Sequence, residues 1–134
     1  KDTLGRALGG VFGENSVASL NGDDYHLYER DSKMWKKLTH LNPKANNLKQ
    51  FENDSISLKK GIGVNCREYN HETGTFLQKV NIKKKDFILV IGLHALYQKK
   101  LRECTDLSIY LDVENNLRKY FKINRDIKKR NYKL

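Results

Sequence analysis

Adjacent carboxylates, a histidine and an arginine stand close together early in the chain: Gly22-Asp23-Asp24-Tyr25-His26, then Arg30. Two neighbouring carboxylates can bind a metal, or one of them can accept a proton in a reaction. The plainer reading is a helix cap in a turn, which Asp often supplies. A second group is Tyr69-Asn70-His71-Glu72-Thr73-Gly74-Thr75-Phe76. Tyrosine, asparagine and histidine in a hairpin can pair with hydroxyls or phosphate oxygens, although an exposed histidine is often only solvated. A third is Lys122-Ile123-Asn124-Arg125-Asp126 followed by Arg130. A basic helix face is usually just solvated, but an arginine can also stabilise spread negative charge.

Composition bounds what these groups can serve. The chain has 134 residues, 31% charged and 38% hydrophobic, which is one globular domain's worth. No apolar run approaches the roughly 20 residues that span a bilayer. The opening Lys1-Asp2-Thr3-Leu4-Gly5 contains no apolar signal segment. Cys66 and Cys104 are too few and too far apart for a disulfide framework, so free thiols in a reducing cytoplasm are expected. The formal net charge of +10 favours anionic partners: nucleic acid, phosphorylated metabolites or ATP. The lysines are dispersed in pairs from Lys36-Lys37 to Lys99-Lys100, and no RNA-binding signature or basic-region heptad occurs. That argues against nucleic acid, and no membrane partner is expected.

These residues need elements to hold them. The pattern predicts a helix over Thr3–Phe12 with Leu4, Leu8 and Val11 inward, and a turn at Gly13-Glu14-Asn15. A strand follows over Ser16–Leu20. Asn42-Pro43 suits a helix start, and Leu48, Phe51 and Leu58 share one face of a helix from Pro43 to Lys60, ended by Gly61 and Gly63. A short hairpin over Tyr69–Phe76 turns at Thr73-Gly74. Phe87–Ile91 is an apolar strand, Ala95–Glu103 a helix, Leu107–Leu111 another strand, and Glu114–Asn131 a helix with Leu117, Tyr120, Phe121 and Ile127 on its apolar face. Alternating strands and helices imply an α/β fold, a mostly parallel sheet covered on both faces. Ligands of such sheets bind beyond the carboxyl ends of the strands. That singles out Asp23, Asp24 and His26, then Gly92 and His94, then Asp112.

Several runs resemble the phosphoribulokinases and their uridine-kinase-like relatives. They are Asp23-Asp24-Tyr25-His26, Leu38 to Asn47, Tyr69 to Phe76, Gly92-Leu93-His94-Ala95-Leu96-Tyr97, and the spacing of Arg125, Asp126 and Arg130. The resemblance implies a P-loop-kinase-like fold and transfer of the γ-phosphoryl of ATP, with Mg²⁺, to a hydroxyl of a sugar phosphate. It implies Asp23 as the catalytic base and His26 and Arg30 as contacts to the sugar phosphate, which leaves Asp24 as the metal candidate. Tyr69 and His71 become substrate contacts. Arg125 and Asp126 become catalytic, and Arg130 bears on the nucleotide. The Leu38–Asn47 run reads as structural. The hairpin histidine favours the phosphoribulokinase branch over uridine or cytidine phosphorylation.

The chain also departs from that family's pattern. Lys1-Asp2-Thr3 is similar to the end of a phosphate-cradling loop, with Lys1 as its lysine, Asp2 at the first Ser/Thr position and Thr3 one place later. All three are thereby ATP-binding candidates, and the first strand and loop glycines are expected upstream. Ile91 stands before Gly92, where the family places a metal-assisting glutamate. The resemblance therefore implies one kinase-like domain over residues 1–134, incomplete at both ends. An open sheet edge leaves homo-oligomerisation as a further expectation. Loss of the acid and the loop also keeps a non-catalytic phosphate-binding module in view.

Overall fold

A computed structural model describes residues 1–130, except for the side chains at 126 and 128–130. Helix α1 (Asp2–Phe12) leads through Gly13, at φ +87°, and one 3-10 turn into strand β1 (Val17–Asn21). A second 3-10 turn, Gly22–Tyr25, follows. Next come helix α2 (Lys33–Lys37), a 3-10 turn at Pro43–Ala45 and helix α3 (Leu48–Lys59). Strands β2 (Val64–Asn70) and β3 (Thr75–Ile82) form an antiparallel hairpin. Strand β4 (Phe87–Ile91), helix α4 (Lys99–Cys104) and helix α5 (Asn115–Arg130) complete the order.

β1 and β4 pair in parallel, from Val17 opposite Phe87 to Asn21 opposite Ile91. Side chains alternate across β4, so its two faces meet different helices. Phe87 stacks on Phe12 of α1 at 4.2 Å, and Ile91 fills the space where a side chain at Gly5 of α1 would stand. Ile88 and Val90 face the other way, into a core built from Leu20, Phe51 and Leu58 of α3, Val64, Cys66 and Leu101. The sheet is thus covered on both faces, as the alternating pattern predicts. Leu48, Phe51 and Leu58 are all buried, which bears out the reading of α3's inner face.

Several expectations need correction. The helix expected from Pro43 breaks at Asn46 and Asn47. Asn46 makes a β-bridge to His26, and the Asn47 N–H donates to the Tyr25 carbonyl at 2.7 Å. Asn47, not Asn42, then caps α3, its side chain accepting from the Gln50 N–H at 3.1 Å. Asn42 caps only the short turn. The hairpin strands run well beyond Tyr69–Phe76. The helix expected over Ala95–Glu103 is confined to Lys99–Cys104. No strand forms over Leu107–Leu111 among the described residues, and Asp112 therefore ends none. Those side chains are exposed, as are Val11 and the α5 residues Leu117, Tyr120, Phe121 and Ile127. Alternation marks what could pair; a strand needs a partner whose backbone satisfies its N–H and C=O groups. Both cysteines are free thiols. No helix among the described residues is long and apolar enough to cross a membrane.

Candidate functional site

The site forms where β1 and β4 end together. Beyond Asn21 and Ile91 the chain continues as Gly22 and Gly92, which face each other. A methyl added to either would sit 3.2–3.3 Å from the other's Cα. A side chain at either position would have to push the two backbones apart by a few tenths of an ångström, so glycine suits this close approach. The 3-10 turn after Gly22 then points Asp23 toward the start of α1 and toward the hairpin.

Asp23 is the hub. Its Oδ2 accepts from Lys1 Nζ at 2.9 Å and from His71 Nε2 at 3.0 Å. Its Oδ1 lies 3.8 Å from His26 Nε2. Burial alone would raise this carboxyl, but the His71 hydrogen bond and the Lys1 ammonium outweigh it and hold Asp23 below the usual carboxylate range. Asp23 is therefore ionised at neutral pH. Asp24 behaves in the opposite way. Its Oδ1 accepts from the Tyr69 N–H at 2.8 Å, pinning β2 to the turn. Burial, with the charges of Asp23 and Glu68, still pushes its carboxyl up to about 6. Two adjacent aspartates are thus split into a committed anion and a group poised near neutrality.

His26 is buried and its protonation pattern is fixed by neighbours. Asn46 Nδ2 donates to the carbonyls of His40 and Asn42, at 3.0 and 2.8 Å. Its Oδ1 is therefore the acceptor for His26 Nδ1 at 2.6 Å. Nδ1 carries the proton, and Nε2 turns a lone pair toward Asp23. Burial lowers the His26 pKa to about 4 against the pull of that hydrogen bond. His26 thus enters the site as a neutral imidazole whose Nε2 can accept a hydrogen bond.

Arg30 serves the hairpin. Its guanidinium donates to the carbonyls of His71 and Glu72, and its backbone N–H donates to the Gly74 carbonyl at 2.9 Å. Glu29 Oε1 accepts from the Phe76 N–H at 2.9 Å, so two neighbouring side chains hold the turn. Asn70 Oδ1 closes the turn from within, accepting from the Glu72 and Thr73 N–H groups. A register shift between Arg67 and Tyr69 marks a β-bulge, a device that re-aims a side chain. The Tyr69 ring packs edge-on against His26, His40 and His71, at 5.0, 5.3 and 5.2 Å.

Of the residues expected from sequence, Lys1, Asp23, Asp24, His26, Tyr69 and His71 come together, with Arg30 behind the hairpin. Asp2 joins through Lys1 Nζ, at 2.8 Å, and Thr3 lies in the first turn of α1. Arg125 is exposed on α5. The side chains of Asp126 and Arg130 lie outside the described residues. His40 and Trp35 also line the cluster; the sequence reading took His40 with its run as structural and did not mark Trp35. A histidine inside a run that reads as a helix start carries no local mark of a ring-stacking role.

The donor set fits a nucleotide phosphate in part. An ammonium stands at the start of an 11-residue helix whose first N–H groups have no side-chain cap. For Mg²⁺, no cluster of three or more His, Cys, Asp or Glu gathers at metal-binding distance among the described residues. Ile91 adds no oxygen where β4 ends. A phosphate-bound ion touching one or two carboxylates fits this set better than an ion held by protein alone.

The model of the phosphoribulokinase / uridine kinase family matches residues 12–134. A phosphoribulokinase of Synechocystis is 33% identical over 132 residues, covering 98% of this chain and 40% of that protein. The spinach chloroplast phosphoribulokinase is 36% identical over 112 residues, covering 84% and 28%. A Staphylococcus aureus uridine kinase is 32% identical over 122 residues, covering 87% and 58%. The chain therefore spans less than half the length of these two phosphoribulokinases. Among solved structures, the Rhodobacter phosphoribulokinase superposes with a TM-score of 0.70 at 22% identity, over 91% of this chain and 50% of that one. A possible uridine kinase from Bacillus stearothermophilus gives 0.63 at 23% identity, over 96% and 78%. The P-loop kinase architecture of these proteins is the fold of this chain. With the Asp23 hub, the hairpin and a family match over all but the first eleven residues, the chain belongs to the phosphoribulokinase / uridine kinase family.

Proposed function

We propose that the chain forms the acceptor side of an ATP-dependent kinase that phosphorylates a hydroxyl of a sugar phosphate. The observation that carries this reading is the Asp23 carboxylate. One oxygen is tied to Lys1 and His71, and the other lies 3.8 Å from Nε2 of a neutral His26. ATP would supply the γ-phosphoryl group, its bond to the β–γ bridging oxygen breaking to release ADP, and Mg²⁺ would neutralise the phosphate charge. Asp23 Oδ1 takes the hydrogen bond of the attacking hydroxyl and orients it, accepting its proton as the new O–P bond forms. The Nε2 lone pair of His26 accepts from a second hydroxyl or a water. Tyr69 and His71 wall the acceptor on the hairpin side. Lys1, at the head of α1, turns from Asp23 to the nucleotide phosphates, with Asp2 and Thr3 beside it. Asp24 is the carboxylate offered to the ion. Arg125, Asp126 and Arg130 complete the charge on the nucleotide side.

Asp23→Asn in the intact protein is expected to lower turnover by about 10²-fold or more with ATP binding retained. Near-normal turnover would remove Asp23 from the reaction. Assaying ribulose 5-phosphate against uridine separates the two branches, and the hairpin pair Tyr69 and His71 favours the sugar phosphate. A well-folded intact protein that transfers phosphate to neither would instead support a phosphate-binding module, the reading that Ile91 before Gly92 favours.

A further inference from the structure

The chain contains four histidines, and all four meet at this site. His26 and His71 flank Asp23, and His94 Nε2 donates to the His40 carbonyl at 3.4 Å. His40 has no role in the reaction as described so far, yet its ring packs against three others. Its ring lies face-on to His26, centroids 3.4 Å apart and planes 26° from parallel. Tyr69 and Trp35 meet it edge-on, at 5.3 and 6.0 Å. Its Nε2 donates to the Tyr28 carbonyl at 2.8 Å, and its own carbonyl accepts from Asn46, the residue that sets the His26 proton.

We propose that His40 is a positioning residue: its ring and carbonyl hold His26 in one plane and one tautomer, with the Nε2 lone pair toward Asp23. The proposal rests on the reading of Asp23 as the proton acceptor. Its physical content is what the alternatives would do. A flipped ring would face Asp23 Oδ1 with Cε1–H, and an Nε2-protonated His26 would aim an N–H at it and close to a hydrogen bond. That would occupy the oxygen meant for the acceptor hydroxyl. The stacked His40 plate resists the ring flip. The titratable and charged groups facing the pair are Asp23, His71, Tyr69, Arg30, Arg67, Tyr28 and His94.

The test uses His40→Ala and His40→Phe in the intact protein, with long-range ¹⁵N–¹H spectra of His26 and steady-state kinetics. The parent shows only the Nδ1–H form. His40→Ala keeps the carbonyl that orients Asn46 but removes the plate, so the His26 ring can turn away from Asn46; it is expected to show both tautomers and a turnover lower by about 10- to 100-fold, with the KM for ATP unchanged. His40→Phe restores a plate and is expected to recover the single tautomer and most of the turnover. A His40→Ala protein that keeps a pure Nδ1–H His26 and parental turnover overturns the proposal. Should His40→Ala fail to fold, mixed tautomers in His40→Phe overturn it instead. An intact parent that phosphorylates no acceptor overturns the reading of Asp23, while the spectra still decide the role of His40.

Discussion

Asp23 and Asp24 are neighbours in sequence and opposites in chemistry. Asp23 gains an ammonium and an imidazole N–H, while Asp24 gains one backbone N–H and a like charge beside it. A carboxyl raised to about 6 from 3.8 is more stable protonated, so its contribution to stability is present below pH 3.8 and is lost as pH rises through about 6. Asp24→Asn keeps a carbonyl oxygen for the Tyr69 N–H. It is expected to raise the thermal midpoint at pH 7 and to flatten the pH dependence between about 4 and 6. An unchanged midpoint would mean that Asp24 is well solvated. His26 works with the other sign. Its depressed pKa contributes stability above 6.5 that is lost as pH falls toward about 4, so the Asp24 effect is cleanest in a His26→Gln background. The strand-end clustering of carboxylate and imidazole marks Asp23 and His26 in the sequence, while His71 is marked only by the family resemblance of its hairpin. The sequence does not pick out His40. Its partner lies 14 positions earlier and meets it only through tertiary packing.

At the scale of elements, the hairpin and the turn after β1 act as one unit. Gly74 has φ +79°, and a Cβ there would lie 2.5 Å from the Cβ of Arg30. Gly74→Ala therefore meets left-handed strain of about 1–2 kcal/mol and a collision with the arginine that grips the turn. It is expected to destabilise the fold by at least that much and to raise the acceptor KM more than the ATP KM. Equal rises would show that the hairpin does not serve the acceptor. Helix and strand positions read from periodicity hold where the partner is in place, as for α1, β1, α3 and β4. They fail at Pro43–Asn47 and Leu107–Leu111 for different reasons. In the first, the His26–Asn46 bridge takes the backbone away from a helix; in the second, no strand among the described residues pairs with the alternating run.

For the whole molecule, the formal charge of +10 sets a long-range field. Raising ionic strength from about 0.01 M to about 0.15 M shortens the screening length from about 30 Å to about 8 Å. For a phosphorylated acceptor, kcat/KM is expected to fall over that range while kcat holds. A flat response would assign the lysines to solubility alone. The backbone contact between Gly22 and Gly92 reaches further than its two residues. With no side chain between them, the seam has no spacer that a substitution could lengthen or trim. The loops that leave β1 and β4 share one frame, so a side chain forced into the seam is expected to displace the Asp23 turn and the Gly92 loop together.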